Sequence, residues 1–551
     1  MVSSYLVESL RSPTQVLLDF YNSEGGKDAP DFPKAVSKHF SDIFKDPVAF
    51  FEIPALDASQ PPESFPDRSL VRFRAMIQDT SPSPEMYLSK LTSGALGGWG
   101  IHETTEKKAE EAIDYAALRD CMVVWAVNVP GESQWYKEAH DGAPRVSCMS
   151  RVSSAIMAYR SVAAESPHRA PRPHKFPVPK EPHIGVQVKA SRVYDSLGNH
   201  APKTADVMEF VGILSTEQLH TVDIETEESS PVDVPTLHVL FARPHSLAPP
   251  TSTTVASTDI RDELIAWVAD EALGGDRDAA EWIIISSIAR VQSRIRSLHP
   301  PSLTISHFPS PSDPSAIPTL VHVLSLLFPL VTPLPLSLEL LNQVPFVPES
   351  KQEDLHSGLL QIPHASTVVV TESGVKEGKL VERGVLNVMA IQDVMTSQTL
   401  PYRFPFSEFS FPTDLAFVVL AEGTKSAFLK TDISVPLKPD NSSSLFKPVT
   451  EVTRPPPDKL KAFRDLLMGA KTRKIEVKEA TSEFIQDDFV ENRKSDKSVT
   501  GDDLKRSIMV ARQVYCGHWM LSGLLLHEDE LTIDMWKRAK DLEKRRLARL
   551  Q

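Results

Sequence analysis

The residues with the most evident chemical potential in this chain form an acidic loop flanked by glycine. Residues 275–282, GDRDAAEW, have the spacing of a phosphate-binding loop of the form GDPxxAKS. In that register Glu281 stands where a lysine would reach the phosphates, and Trp282 stands where a serine would ligate magnesium. An acid repels phosphate, and an indole cannot ligate a metal ion. The alternative is that this register is accidental, because the segment before Gly274 has a helical pattern. In either case ATP hydrolysis is disfavoured.

A second candidate is the strand end at 367–372. A β-branched run, TVVV, leads to Thr371 and Glu372, and a glycine-spaced loop and an amphipathic helix follow as far as Gln398. The stretch resembles an AAA+ ATPase of the replicative-helicase type, in which paired acids at this point hold magnesium and polarise water. Only Glu372 remains here, which indicates an ATPase-like scaffold with a damaged motor. The alternative is an ordinary buried strand and helix.

Other catalytic signatures are incomplete. A phosphate-cradling loop needs the form GxxxxGK[ST], but the window at 94–100 lacks a lysine and the window at 423–426 lacks the first glycine. Neither His-Glu pair is followed by the second histidine of a zinc helix, and we interpret the nearby Cys516 and His518 as core and surface residues. We expect no catalytic, cofactor-binding or metal-binding residues, and hence no enzyme. The two pairs are His102-Glu103 and His527-Glu528.

Composition narrows the class of protein. A chain of 551 residues exceeds the size of one hydrophobic core, and 41% apolar with 24% charged residues is typical of folded domains. The net charge of −14 disfavours broad capture of nucleic acid. Three distant cysteines cannot build a disulfide framework or a zinc ribbon, which fits a reducing compartment. They are Cys121, Cys148 and Cys516.

Two stretches of the sequence bear on secretion and membrane insertion. The N-terminus lacks the basic start and long apolar centre of a secretory signal. The uncharged run at 314–338 has the length of a membrane span, but Pro329, Pro333 and Pro335 would break a spanning helix. We predict a buried helix up to Phe328, then a proline turn and a strand. No membrane association is expected.

The chain is predicted to be a mixed α/β multidomain protein. It comprises a helical lead-in at 1–60, an OB-like β-barrel module at 61–243 with a proline- and basic-rich linker insertion at 151–183, a degenerate AAA+-like α/β domain at 258–430, and a C-terminal helical lid at 458–551. Period-two alternation predicts the barrel strands, and alternating helices and strands predict a partly parallel sheet. The barrel strands are expected at 71–77, 121–129, 184–195, 205–215 and 236–244; the later helices at 260–273 and 277–297; the later strands at 303–307, 336–341, 367–371 and 415–420.

The lid is the best-marked helical block. Thr500 with Asp503 three positions later predicts an N-terminal cap, and Thr532 is expected to cap the last helix. We interpret the basic charge of this last helix as a solvated face, with a nucleic-acid or nuclear-import patch as the alternative. The basic residues of the last helix are Lys537, Arg538, Lys540, Lys544, Arg545, Arg546 and Arg549.

An OB barrel binds either single-stranded nucleic acid or proteins. The scarcity of aromatic and basic residues in the predicted barrel favours protein as its ligand.

Five collinear stretches give the chain a family resemblance. They are VRFRAMIQD (71–79), VPGESQWYKEA (129–139), FVGILS (210–215), SGLLQIP (357–363) and DDFVENRKSD (487–496). In this order they resemble the minichromosome maintenance (MCM) complex-binding protein family. The linkers and the first 60 residues or so do not match.

The resemblance implies a nuclear, non-enzymatic partner of the MCM helicase subunits, associated with unloading the complex from replicated DNA, with subunit supply and with sister-chromatid cohesion. Contact with chromatin would be indirect. It also implies a degenerate relative of the subunits themselves, able to occupy a subunit interface. The alternatives are an OB-fold protein that binds single-stranded DNA, an active AAA+ ATPase, and a scaffold unrelated to replication, which only the five stretches exclude.

Overall fold

The computed structural model confirms a mixed α/β multidomain chain, with fourteen α-helices and fifteen β-strands in the residues it describes. Those residues are all except 1–3, 24–30, 92–93, 102–114, 142–171, 180, 192–201, 224–227, 246–257, 296, 312, 314–315, 353, 376–377, 473–476, 496, 498–499 and 519–530. The His-Glu pairs at 102–103 and 527–528 therefore lie outside the described residues.

The lead-in is helical, as expected, and packs on the barrel that follows it. Phe40 in α3 and Phe44 directly after that helix are fully buried. Phe44 stacks on Phe241 of the barrel with 6.4 Å between ring centres. The lead-in thus covers one face of the barrel and forms with it a hydrophobic core separate from the barrel's own. Its helices are α1 (Ser4–Arg11), α2 (Pro13–Asn22), α3 (Phe32–Ile43) and α4 (Pro47–Phe51).

Six strands form the next unit, and five of them close into a ring. The sheet order is β1-β5-β6-β4-β3-β2, and β1 also pairs with β3, which closes the barrel. All five predicted barrel strands are present, although β5 and β6 form a longer hairpin than the alternation indicated. The elements are β1 (Leu70–Asp79), β2 (Glu85–Leu88), β3 (Leu118–Asn128), α5 (Gln134–Asp141), β4 (Gly185–Ala190), β5 (Val207–Asp223) and β6 (Glu228–Pro244).

Gly212 permits the close approach of two barrel strands. The register between β5 and β6 shifts at Val211 and Gly212, so the backbones bulge there. A Cβ atom at Gly212 would lie 2.3 Å from the carbonyl oxygen of His238. Only glycine fits at this position.

The second half contains a five-stranded parallel sheet with helices between its strands. Its order is β15-β7-β14-β11-β8, and every pairing in it is parallel. The predicted strands at 303–307, 367–371 and 415–420 are confirmed. The elements of this half are α6 (Thr258–Ala272), α7 (Arg277–Ile288), β7 (Leu303–Ser306), α8 (Thr319–Leu327), β8 (Val331–Ser337), α9 (Leu338–Gln343), β9 (Glu349–Lys351), β10 (Asp354–His356), β11 (Ser366–Gly374), α10 (Glu382–Ser397), β12 (Thr399–Phe404), β13 (Ser407–Pro412), β14 (Leu415–Leu420) and β15 (Ile433–Pro436).

The prediction for the uncharged run is only partly correct. The buried helix is α8, but the strand begins at Val331 and contains Pro333 and Pro335. Because β8 is the edge strand of the parallel sheet, prolines are tolerated there. The strand predicted at 336–341 is wrong, since α9 starts at Leu338, where the Ser337 hydroxyl accepts a hydrogen bond from the Leu340 amide. The described helices include none with both the length and the apolar character needed to span a membrane.

The second half also contains a helix shorter than predicted and a second sheet. The helix predicted at 277–297 ends earlier, at Ile288. Strands β9, β10, β12 and β13 form a separate sheet in the order β10-β9-β12-β13. The hairpin of β12 and β13 therefore stands beside the parallel sheet rather than in it.

The helical lid packs on α6, α7 and α8. The predicted cap of α13 is confirmed, because the Thr500 amide donates to Asp503 at 2.8 Å and the Asp503 amide donates to the Thr500 hydroxyl at 3.3 Å. Thr532 occupies the N-cap position of α14 but makes no side-chain hydrogen bond there. The lid helices are α11 (Pro457–Thr472), α12 (Glu479–Ser495), α13 (Gly501–His518) and α14 (Ile533–Leu550).

A lysine is buried where the lid meets the parallel sheet. The Lys471 ammonium donates to the carbonyl oxygen of Ser287 at 2.9 Å and lies 5.1 Å from the centre of the Phe328 ring. Burial lowers the pKa of Lys471 to about 7. The folded protein therefore binds this proton more weakly than the unfolded chain, so stability rises as the pH increases from about 7 towards the ordinary lysine value.

We predict that Lys471→Met stabilises the chain by roughly 1–4 kcal/mol at pH 6.5, because the variant no longer buries a charge. The gain should shrink by pH 9, where the native lysine is already neutral. Thermal unfolding at both pH values measures it. Lys461→Met, on the exposed face of the same helix, is the control and should change little. A variant less stable than the native chain at both pH values would contradict the prediction.

Candidate functional site

The parallel sheet has one place where its strand connections diverge. From β7 the chain crosses to β8 at one edge of the sheet, whereas from β14 it passes to β15 at the other edge. In open α/β sheets, ligands bind outside the carboxyl ends of the strands at such a switch point. The crevice between the ends of β7 and β14 is therefore where a nucleotide would be expected.

The chain's own backbone fills this crevice. The amides of His307 and Phe308, just after β7, donate to the carbonyl oxygens of Gly423 and Ala421, just after β14, at 3.1 and 2.9 Å. The Ser310 hydroxyl also donates to the Glu422 carboxylate. These bonds join the two loops across the position that a ligand would occupy.

The start of α8 is covered as well. A helix N-terminus that follows the first strand of such a sheet is a ready phosphate site. Here the Thr319 hydroxyl, at the first helical residue, accepts a hydrogen bond of 2.6 Å from the Lys447 amide. The Phe446 ring packs edge-on against Phe308 with 5.6 Å between ring centres. Residues 446 and 447 thus lie against the residues at this helix end.

Glu372 lies at the end of β11, as the sequence predicted, and its carboxylate is engaged. It is buried, and it accepts hydrogen bonds from the Ser426 hydroxyl at 2.5 Å and from the Ala427 amide at 3.0 Å. A carboxylate that holds a turn in this way has little capacity left for a metal ion. Its observed contacts are those of a structural residue.

The phosphate-loop register proposed for 275–282 is wrong. These residues join α6 to α7, whereas a phosphate loop joins a strand to a helix. The loop in that position follows β7 and comprises residues 307–318, HFPSPSDPSAIP, which contain neither glycine nor lysine. The sequence alone did not identify this loop, because several other loops contain glycines that match the phosphate-loop motif only in part. The strand order of the sheet was needed to identify it.

The acids at 275–282 instead bind the last helix. Arg549 donates to both oxygens of Asp276, at 2.7 and 2.9 Å, and Arg545 donates to Glu281 at 2.9 Å. Lys540 pairs with Asp488 at 2.7 Å. The predicted solvated face is wrong for Arg546 and Arg549, whose side chains are 7% and 15% exposed. Arg545 and Lys540 remain exposed, at 51% and 39%, while they pair with acids of the chain.

A buried lysine fixes the barrel to the second half of the chain. Only 1% of Lys175 is exposed, and its ammonium lies 2.6 Å from an oxygen of Asp79 and 2.6 Å from an oxygen of Asp354. Asp79 ends β1 of the barrel and Asp354 begins β10. We call the contact between the barrel and the second half the seam.

Further basic side chains surround Asp354. Arg172 lies 2.7 Å and His174 lies 2.6 Å from its carboxylate. Burial acts to raise the pKa of Asp354, but the His174 hydrogen bond and the charges of Lys175 and Arg172 outweigh it, so the pKa is well below its ordinary value. The group is ionised at neutral pH.

His356 is a third residue in this cluster that could ligate a metal ion. Its ring stacks on His174 with 4.1 Å between centres, and the ligand atoms of His174, Asp354 and His356 lie within 4.8 Å of one another. Burial and then the charge of His174 lower the pKa of His356 to about 4. Because cations already occupy both oxygens of Asp354, a metal ion would have to displace Lys175 and Arg172. The arrangement fits an ion-pair cluster better than a metal site.

A turn in the barrel forms the second part of the seam. Gly131 accepts a hydrogen bond from the Val331 amide at 2.8 Å, and the Ser133 amide donates to the Pro329 carbonyl at 2.7 Å. The Trp135 indole donates to Ser325 at 3.0 Å. Gly131 has a positive φ of 67°, and a Cβ atom there would lie 2.4 Å from the Thr332 hydroxyl, so glycine is required.

Three of the five family-like stretches meet at the seam. Asp79 belongs to VRFRAMIQD, the turn at 131–135 belongs to VPGESQWYKEA, and Gln361 belongs to SGLLQIP. The Gln361 amide group donates to the Gln78 carbonyl at 2.6 Å. Residues 172–179, expected to be linker, are part of the same contact, so that interpretation is wrong for the described end of the segment.

Two elements of the second half, the β12–β13 hairpin and α10, expose large apolar side chains. Phe406, at the tip of the β12–β13 hairpin, is fully exposed, and Phe409 is more than half exposed. Exposed apolar side chains also follow one face of α10 at helical spacing. Sequence periodicity did not single them out, because the same helix also has a buried apolar face. The exposed α10 residues are Val381, Val385, Leu386 and Met389.

These features define the class of protein. It is a multidomain α/β chain whose barrel is fixed to a parallel sheet, and the chain's own loops occupy the edge of that sheet where a ligand would be expected. The family described as mini-chromosome maintenance replisome factor matches residues 40–169 and 160–550. The chain belongs to this family, as the five stretches indicated.

Curated relatives extend over nearly the whole chain. One from Homo sapiens is 25% identical over 651 residues, covering 98% of this chain and 97% of the relative. One from Drosophila melanogaster is 26% identical, covering 94% and 95%, and one from Gallus gallus is 25% identical, covering 95% and 94%. Each is named mini-chromosome maintenance complex-binding protein.

We predict that Lys175→Met opens the seam, because it leaves the buried carboxylate of Asp79 and the partly buried carboxylate of Asp354 without their shared cation. Breaking a buried pair costs roughly 3–5 kcal/mol. The Ser357 amide donates across the seam to the His174 carbonyl at 2.9 Å, so its hydrogen exchange should accelerate by about 100-fold or more.

Lys137→Met is the matched control. Lys137 pairs with Asp57 at 3.1 Å near the surface, and exposed pairs contribute about 0–1 kcal/mol. Unchanged protection of Ser357 in Lys175→Met would contradict the role given to Lys175.

Proposed function

We propose that this chain is a non-enzymatic binding partner of the MCM helicase subunits, acting in the nucleus during DNA replication. The observation that carries the proposal is the match over nearly the full chain to relatives named for binding the MCM complex. The features described above support it in three ways, through the scaffold, the filled crevice and the neutralised basic helix.

The scaffold supports a degenerate AAA+-like domain at 258–430. Numbered along the chain, the parallel strands lie in the order fifth, first, fourth, third, second, which gives an open α/β sheet with a switch point of the kind that binds ligands. An OB-like barrel precedes this domain and a helical lid at 458–551 follows it, as in the helicase subunits. The chain thus has the build of a ring subunit.

The filled crevice supports a function without ATP hydrolysis. The loops after β7 and β14 bond directly to each other, and Glu372 holds a turn. A nucleotide would have to break these contacts, and the loop at 307–318 offers it no lysine.

Contact with protein is favoured over contact with nucleic acid. The chain has a net charge of −14, and acids within the chain pair with several basic residues of α14. On the barrel, the lead-in helices cover apolar residues of β5 and β6, including Val211, Leu240 and Phe241, so this face of the barrel is closed to a nucleic-acid strand. Association with chromatin would then be indirect.

A chain shaped like a ring subunit can compete with a true neighbour for a subunit interface. Placed in an assembled ring, it would leave the ring open and promote unloading from chromatin. Bound to a free subunit, it would act as a chaperone. The role in sister-chromatid cohesion would follow from either effect. We assign the contact to the exposed apolar residues of α10 and the β12–β13 hairpin, since such surfaces commonly form interfaces.

The test uses the purified full-length chain and purified MCM subunits. We expect a complex that forms without ATP and withstands single-stranded DNA as competitor. Val385→Asp with Met389→Asp should weaken it by roughly 30-fold or more, the effect of losing a buried hot spot of about 2 kcal/mol. Val48→Asp, which also charges an exposed valine but on the lead-in, should have no effect.

Two results would count against these assignments. Failure of the native chain to bind any subunit would refute the proposed function. Equal binding by the α10 double variant and the native chain would refute only the surface.

A further inference from the structure

An exposed loop with two serine-proline pairs adjoins the seam. Residues 80–84, TSPSP, follow β1 directly, and both serines are exposed. The loop has no regular secondary structure, and the next residues, in β2, are also exposed. Such a segment is accessible to an enzyme that must bind it in an extended form.

Ser81 is connected to the seam by hydrogen bonds. Its hydroxyl and its amide donate to the same oxygen of Asp79, at 2.6 and 2.8 Å. The other oxygen of Asp79 lies 2.6 Å from the Lys175 ammonium, which also contacts Asp354 at 2.6 Å. Four residues thus link an exposed serine to the buried centre of the seam.

We propose that Ser81 is a phosphorylation site for a proline-directed kinase and that its phosphate opens the seam. The Ser81 hydroxyl oxygen would attack the γ-phosphorus of ATP, and the bond to the ADP oxygen would break. The hydroxyl proton passes to the kinase's base, and the products are ADP and phosphoserine. Pro82 supplies the feature that this class of kinase reads, a proline directly after the serine.

Phosphorylation removes one bond and adds a repulsion. The modified oxygen can no longer donate to Asp79, so the 2.6 Å hydrogen bond is lost. The phosphate brings a charge of about −1.5 to −2 close to a buried carboxylate, and like charges in such a place disrupt the contact. Asp79, Asp354 and the phosphate would then share too few cations, because Arg172 already binds Asp354. The phosphate therefore weakens the hold of Lys175 on the barrel.

Ser83 provides a matched comparison within the loop. It is exposed and precedes Pro84, so it offers a proline-directed kinase the same pair of residues. In the described loop its hydroxyl is not bonded to Asp79. A phosphate there would lie outside the chain of contacts and would leave the seam closed.

The experiment treats the purified full-length chain with a purified proline-directed kinase and ATP. Mass spectrometry identifies the modified serine, and hydrogen exchange follows the Ser357 amide across the seam. We expect phosphate on Ser81 and exchange at Ser357 at least tenfold faster than in the untreated chain. Phosphatase should restore the slow exchange.

Two variants, each compared with and without ATP, separate the serines. Ser83→Ala should keep the full response, and Ser81→Ala should lose it even when Ser83 is phosphorylated. The proposal is overturned if the kinase modifies Ser83 but leaves Ser81 unmodified. It is equally overturned if Ser81 carries phosphate while exchange at Ser357 stays slow.

Discussion

The ion pairs of Lys175 are the interaction on which the arrangement of this molecule depends. A single buried ammonium contacts the end of a barrel strand and the start of a strand from the second half. Because an unpaired buried charge costs several kcal/mol, the two halves cannot shift without losing both contacts at once. The turn at 131–135 adds directional backbone bonds to the same boundary. Barrel and parallel sheet are thereby held in one defined relation.

The parallel sheet keeps the strand order of a ligand-binding scaffold while its binding edge is filled. At the switch point, loop amides bond to loop carbonyls, and Phe446 packs on Phe308. These contacts contribute to stability in the place where an enzyme would leave polar groups free for substrate. On the function proposed above, the outer shape of this scaffold is what a subunit interface would use.

Much of the fold follows from local pattern. Period-two alternation located the barrel strands, and β-branched runs located β11 and β14. The error at 336–341 arose because a short apolar run suits a strand or a helix, and only the cap at Ser337 distinguishes them. Contacts between residues far apart in sequence could not be predicted, such as those of Arg549 with Asp276 and of Lys175 with Asp354. For this reason the last helix was predicted to be solvated, and the segment that contains Lys175 was predicted to be a linker. The switch point could not be located without the strand order.

The measurement that tests the central claim most directly is crosslinking mass spectrometry on the complex of the full-length chain with MCM subunits. If the chain acts as a subunit-shaped partner, crosslinks to the helicase will concentrate in residues 258–551, around α10 and the β12–β13 hairpin. Crosslinks confined to the lead-in, the barrel and its insertion, with none in 258–551, would contradict the account, because the ring-subunit build would then play no part in binding.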